Sequence, residues 1–234
     1  MGSVIRISVR RLAEVTEGGC PRCFWITSHL PIPYQMPFPG VLGEIDRATK
    51  QVIRDHVDRH GRLPDWFPRL GRVVGYVPPH RLRWQVFQVE DRRLGLVLRG
   101  EPDEIFRLAD GSYHIVDYKT ARLTEGQELA LAAYEVQLNG YAYIARRLGY
   151  TPLSGLSLVY LEPRRFHPTR DGSGVALLFR AVRRRVRLDP EGIIPPLLRR
   201  AREILTCPTL PPGHPECRDC EVLMQLLDHL RGGA

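Results

Sequence analysis

No stretch of this chain leaves less freedom than PDEIFRL-ADGS-YHIVDYK, residues 102–119. Two runs rich in β-branched and aromatic residues flank Ala109-Asp110-Gly111-Ser112, and Asp-Gly is a strong signal for a turn that folds a strand back on itself. The expectation is an antiparallel hairpin. With Leu108 set opposite Tyr113, Asp103 arrives near Tyr118 or Asp117. Side chains alternate between faces along a strand, so Asp117 and Lys119 point the same way.

The hairpin sits in a regular alternation of elements. Upstream, residues 26–42 hold four prolines and read as an extended, ordered loop. Residues 43–60 carry Ile45, Ala48, Val52 and Val57 at broadly helical spacing, closed by Gly61. Residues 72–99 contain three β-like runs, RVVGYV, RWQVFQV and RLGLVLRG. Downstream, residues 125–148 place Leu129, Leu131, Ala132, Val136, Gly140 and Ile144 on one helical face, and Gly149 ends the pattern. Two further strands follow, LSLVYLEP and GVALLFRAVRRRVRL, then a helix capped by Asp189 with Pro190 in its first turn. After Cys207 comes a Pro-rich tail, CRDC, and a short helix, VLMQLLDHL. Strands, helix, strands and helix describe a mixed α/β (α+β) fold, a sheet with helices packed on it. The length of 234 residues suits one domain spanning 1–234.

The basic residues carry a second signal. Of 34, only Lys50 and Lys119 are lysine, and the formal net charge is +8. A polyanionic partner is expected, nucleic acid before membrane. No apolar run is long enough for a membrane span, and the first residues lack the apolar core of a signal peptide, so a cytoplasmic location is expected. A general preference for arginine makes Lys119, two residues after Asp117, the more conspicuous. Two carboxylates at neighbouring strand ends, Asp103 and Asp117, could hold a hard cation such as Mg²⁺ or Mn²⁺, with the Tyr118 carbonyl as another oxygen ligand. Lysine suits the adjoining position better than arginine. It is a compact charge with three donors, and burial can lower its pKa enough for proton transfer.

Gly100-Glu101-Pro102-Asp103, Asp117-Tyr118-Lys119 and, one helix later, Gln137 with Tyr141 follow one another in order. In that order and spacing the chain resembles the PD-(D/E)xK nuclease superfamily, in its RecB-like branch. The resemblance implies a restriction-endonuclease-like central mixed sheet flanked by helices and a metal-dependent deoxyribonuclease activity. It gives Asp103 from a GxxD motif and Asp117 from a DxK motif as metal ligands, and Lys119 as the catalytic lysine. Gln137 and Tyr141, on one helical face by their i, i+4 spacing, would orient the scissile strand or Lys119. An upstream ligand, often histidine, is usual in that branch. Here Glu44 and Asp46 occupy about the right place, and either is a candidate. An exonuclease acting on single-stranded or end-bearing DNA is implied, in repair or CRISPR-type processing, with a helicase or CRISPR-adaptation partner. A non-catalytic DNA-binding scaffold of the same fold is the alternative.

Cys20 and Cys23 lie near the start, and Cys207, Cys217 and Cys220 near the end. This distribution suits a metal site better than a disulfide framework. The CPRCFW segment also resembles the RecB-like branch, some members of which join one N-terminal and three C-terminal cysteines through an iron–sulfur cluster. Cys20, Cys217 and Cys220 match that pattern, while Cys23 and Cys207 compete for the fourth place. With Cys23 the arrangement is CxxC…CxxC, which suits Zn²⁺ as well as iron–sulfur. Finally, Arg183, Arg185 and Arg187 form a strand-like row that would contact DNA phosphates without reading sequence. Trp25, Trp66 and Trp84 are candidates for base stacking or for packing.

Overall fold

A computed structural model describes residues 4–30, 40–124 and 128–232. From the N-terminus come β1 (Ile5–Ser8), a 3₁₀ segment (Val9–Val15), α1 (Pro21–His29) and α2 (Gly40–His60). Five strands follow: β2 (Val73–Tyr76), β3 (Gln88–Asp91), β4 (Leu96–Arg99), β5 (Glu104–Leu108) and β6 (Tyr113–Lys119). Then come α3 (Glu128–Arg147), β7 (Leu153–Pro168), β8 (Val175–Val186), α4 (Pro190–Leu205) and α5 (Arg218–Gly232). Among these helices none is long and apolar enough to cross a membrane.

The main sheet has five strands in the order β2-β5-β6-β7-β8, and a smaller sheet has the order β1-β4-β3. Within the main sheet only β6 and β7 are parallel. A parallel pair cannot be closed by a tight turn, and α3 is its crossover. That connection lays α3 over the sheet next to the end of β6, where Asp117 and Lys119 lie. The fold is the mixed sheet flanked by helices that the sequence implied.

β6 is buried from His114 to Tyr118 because both of its faces are covered. On one face Ile105, Ile115 and Leu158 pack with Leu138 and Ile144 of α3. On the other, Phe106, Val116 and Val159 pack with Ile53 of α2 and with Phe67. Each fully buried Ile or Val contributes on the order of 2 kcal/mol, so the central hairpin is anchored from both sides.

Three expectations change. Arg107, not Leu108, stands opposite Tyr113. The Leu108 N–H instead bonds the Ser112 carbonyl at 2.8 Å, Gly111 adopts a φ of +82°, and the Asp110 carboxylate accepts from Ser112 N and Oγ at 2.9 and 2.6 Å. The turn thus absorbs Leu108, and the register moves by one residue. The proposed loop at residues 26–42 is helical at 26–29 and 40–42, and residues 31–39 lie outside the described ones. The run RWQVFQV is a strand only from Gln88, because the N–H groups of Val86 and Phe87 turn back onto the Arg83 carbonyl. Asp189 caps α4 as expected, accepting from Gly192 N at 3.1 Å.

Candidate active site and metal sites

Asp103 lies just before β5 and Asp117 near the end of β6, so the corrected register sets the two carboxylates side by side. Asp103 Oδ2 accepts from the Tyr118 N–H at 2.7 Å. Its carbonyl accepts from Arg54 of α2 at 3.3 Å, and Arg54 Nε donates to the fully buried Glu104 at 2.5 Å. Asp103 is therefore held through its side chain and its backbone. Burial raises the Glu104 carboxyl to about 7, against the pull of Arg54.

Asp117 is 4 % exposed. Its Oδ1 accepts from Gln137 Nε2 at 3.2 Å, and the same amide donates to the Tyr141 hydroxyl at 2.8 Å. Gln137 and Tyr141 thus face inward as the i, i+4 spacing implied, and the group they contact is Asp117. Gly100 makes this possible. A Cβ there would lie 2.8 Å from two atoms of the Tyr141 ring.

Lys119 Nζ lies 2.6 Å from Asp117 Oδ2 and 4.1 Å from the centroid of the Tyr134 ring. Tyr134 precedes Gln137 by one helical step on α3, and sequence reasoning did not single it out. Burial, and then the neighbouring Asp103 charge, raises Asp117 to about 6, with Lys119 opposing. Asp117 Oδ2 is buried and paired with the Lys119 ammonium. Two carboxylates side by side, with Asp46 on the wall of the same cleft, form the oxygen donor set a hard divalent cation takes. The residues present fit such an ion.

The Tyr118 side chain packs on the opposite face with Phe67, so only its backbone can serve this site. Of the two candidate upstream carboxylates, Asp46 lines the same cleft and Glu44 does not. Glu44 is exposed and pairs with Arg47 at 2.6 Å. Asp46 instead pairs with Lys50 at 2.6 Å, and Lys50 reaches Asp103 Oδ1, also at 2.6 Å. Both lysines of the chain therefore meet in one place. Their rarity was the available sign for Lys50. The cleft encloses about 1290 Å³, and its wall includes Arg10, Trp84 and Arg99. The Arg99 guanidinium sits 4.7 Å over the half-exposed Trp84 ring.

The arginine row does not face this cleft. β6 and β7 pair Asp117 with Leu158, and β7 and β8 pair Leu158 with Arg184, so Arg184 shares the Asp117 face. Arg183 and Arg185 project from the other face, where Arg183 donates to Ser157 Oγ at 2.8 Å and to the Arg69 carbonyl at 2.6 Å. Arg187, past the strand end, pairs with Asp189 at the α4 cap. The other tryptophans are elsewhere: Trp25 donates to the Cys207 carbonyl at 3.2 Å, and Trp66 packs edge-on to Phe67.

The ends of the described chain meet at a second site. Cys20 and Cys23, at the start of α1, meet Cys217 and Cys220, at the start of α5, with all four Sγ atoms within 4.8 Å of one another. Cys207 lies outside, its Sγ 3.9 Å from Thr209 Oγ1. Its backbone meets α1 through Trp25, but its thiol stays out of the cluster, so the fourth clustered thiol is that of Cys23. Cys20 is half-buried, which raises its thiol, but the N–H groups of Cys23 and His214, with the Cys220 and Cys217 thiols, outweigh that and lower it to about 7. The His214 N–H is 3.3 Å from this sulfur. Four thiols at this spacing can take a tetrahedral metal.

Among curated proteins, none matches the chain. Among solved structures, the crystal structure of SSO0001 is 18 % identical with a TM-score of 0.44, covering 90 % of this chain and 80 % of that one. Residues 40–225 match the family model of the PD-(D/E)XK nuclease superfamily.

Proposed function

We propose, from the premise that the chain belongs to the PD-(D/E)XK nuclease superfamily, that it is a divalent-metal-dependent deoxyribonuclease of the RecB-like branch. It acts as an exonuclease on single-stranded or end-bearing DNA. The observation that carries this reading is the convergence of Asp103, Asp117 and Lys119 on one cleft, with Lys119 Nζ 2.6 Å from Asp117 Oδ2. Asp103 and Asp117 would hold Mg²⁺ or Mn²⁺, with the Tyr118 carbonyl and Asp46 as further oxygen donors. Such an ion, when bound, stabilises negative charge on the phosphate and makes water a better nucleophile.

The chain's own side chains do the remainder. Lys119, braced between Asp117 and the Tyr134 ring, orients the attacking water and stabilises the negative charge that develops on it. Gln137 fixes the Asp117 carboxylate, and Tyr141 fixes Gln137. Arg54 and the Tyr118 N–H fix Asp103. Arg10 and Arg99 on the cleft wall suit phosphate contacts, and Trp84 offers a ring on which a base can stack. The order of the GxxD, DxK and QxxxY motifs supports the RecB-like branch, and with it work in repair or CRISPR-type processing beside a helicase or adaptation partner.

For the cysteine site the favoured occupant is Zn²⁺. Tetrahedral Zn–S bonds of about 2.3 Å put sulfurs roughly 3.8 Å apart. The closest Sγ pairs here lie 3.4–3.5 Å apart. A four-iron cube, with its irons between the thiolates, needs a wider cage. Elemental analysis of the purified protein checks this. About one zinc per chain and a colourless solution are expected, whereas brown protein with several irons per chain would overturn it.

The test of the nuclease reading is cleavage of end-labelled single- and double-stranded DNA with Mn²⁺, Mg²⁺ or EDTA, comparing wild type with Lys119→Ala. Cation-dependent cutting should fall at least 100-fold in the variant, and the product ladder separates exonuclease from endonuclease. Well-folded wild type that binds DNA without cutting it would favour the scaffold instead.

A further inference from the structure

Lys50 stands out by composition, position and contacts. It is one of two lysines against 32 arginines, and the other is Lys119. It projects from α2 one turn after Asp46, the i, i+4 spacing that lets the two side chains meet. Its ammonium lies 2.6 Å from Asp46 Oδ2 and 2.6 Å from Asp103 Oδ1, bridging two carboxylates that come from different parts of the fold. The side chain is 19 % exposed. Burial alone would lower its pKa, but the Asp103 and Asp46 carboxylates outweigh burial and raise it.

A small cation bridging two carboxylate oxygens at this distance has the relation to them that a bound metal ion has. An ammonium fills that place as a compact charge with three donors, and a guanidinium carries the same charge in a larger, planar form. Asp103 Oδ2 accepts from the Tyr118 N–H, so Lys50 takes that carboxylate's other oxygen. Asp117 is held in a parallel way, with Gln137 on its Oδ1 and the second lysine, Lys119, on its Oδ2. Each carboxylate oxygen keeps a further lone pair for an ion lying between the two aspartates. Charge leads the same way. Asp46, Glu101, Asp103 and Asp117 on the cleft wall face Arg10, Lys50, Arg99 and Lys119, so the charges balance. Each divalent ion adds two positive charges, and a second would leave the cleft strongly positive.

We propose that Lys50 is a built-in cation of the active site, holding Asp46 and Asp103 in the place of a second divalent ion. The site then loads one divalent ion, between Asp103 and Asp117. This rests on the nuclease reading for the existence of the metal site and adds its stoichiometry. Lys50 is a positioning residue for Asp103. An Asp46–Asp103 pair freed of it is a second cation site.

Mn²⁺ counted by titration calorimetry and by the spin spectrum tests this on the whole chain, because manganese is a hard ion that does not compete for the thiolate cage. Wild type should bind one Mn²⁺ per chain. Lys50→Met and Lys50→Ala should each bind two, with magnetic coupling between neighbouring ions, and Lys50→Arg should bind one. Circular dichroism and the melting profile identify whichever variant is folded. Wild type that binds one ion and cleaves DNA, while a folded Lys50→Met or Lys50→Ala also binds only one, overturns the role of Lys50 and leaves the nuclease reading standing. Wild type that binds two ions overturns it too. Wild type that binds none overturns both readings together.

Discussion

Gly100 and Tyr141 illustrate how much a single atom decides in this site. No positive φ requires glycine at 100; the Tyr141 ring does, because it occupies the space a Cβ would take. Gly100→Ala should cost about 1–3 kcal/mol by overpacking. It should also move Tyr141 off Gln137 and so loosen Asp117. Denaturant unfolding and the cleavage assay would register both effects. His114 makes a different prediction. Its ring lies between Ser157 Oγ at 2.9 Å and Ser154 Oγ at 3.2 Å. Burial, and then Arg183 and Arg185, lowers its pKa to about 4. A depressed histidine stabilises the fold above its ordinary pKa near 6.5, and that stability is lost as pH falls towards 4. Between pH 7.5 and 5 the loss is about 2 kcal/mol. Asp117, raised in the fold, acts with the opposite sign, favouring the folded chain as pH falls through about 6. Comparing wild type with His114→Asn removes that common contribution. The stability difference between them should therefore shrink by about 2 kcal/mol over this range. A pH-independent difference would rule the mechanism out.

At the scale of elements, the alternation of side chains on β8 separates two arginines that are neighbours in sequence. Arg184 shares the Asp117 face, and Arg185 does not. Arg184→Glu should weaken DNA binding several-fold and lower the salt dependence by about one phosphate contact. Arg185→Glu should do neither. Equal effects, read from binding isotherms at several salt concentrations, would mean that DNA does not lie along the Asp117 face. The same parity argument explains how the sequence could indicate Asp117 with Lys119 and Gln137 with Tyr141. Each pair lies within one regular element, where the backbone period alone sets the shared face. Asp103 needed the turn as well. The left-handed Gly111 and the Asp110–Ser112 bonds moved its register by one residue.

At the scale of the whole molecule, four thiols join α1 to α5 across about two hundred residues of chain. Around them, Arg22 donates to the Pro211 carbonyl and Trp25 to that of Cys207. The main core lies elsewhere, between the large sheet and α3. Stripping the metal proposed for this cluster with a strong chelator should therefore release α5 to proteolysis before the core unfolds. The melting temperature should drop by about 2–4 °C for each kcal/mol lost. Cys23→Ser should reproduce that loss and Cys207→Ser should not. An equal effect of both would show that Cys207 belongs to the cage after all.

What the sequence by itself determined was local: the hairpin, the amphipathic crossover helix, the capped α4, and the motif residues whose facing follows from strand and helix periods. The tertiary structure alone decided which distant groups meet. Lys50 and Arg54 reach Asp103 because Ile53 seats α2 against the sheet, and Tyr134 covers Lys119 because α3 crosses above the end of β6. Cys23 joins the cage because α1 abuts α5, while the Cys207 thiol stays out of it. Spacing along a regular element sets a direction in space, but a contact between elements depends on how their buried faces pack, and no local period encodes that.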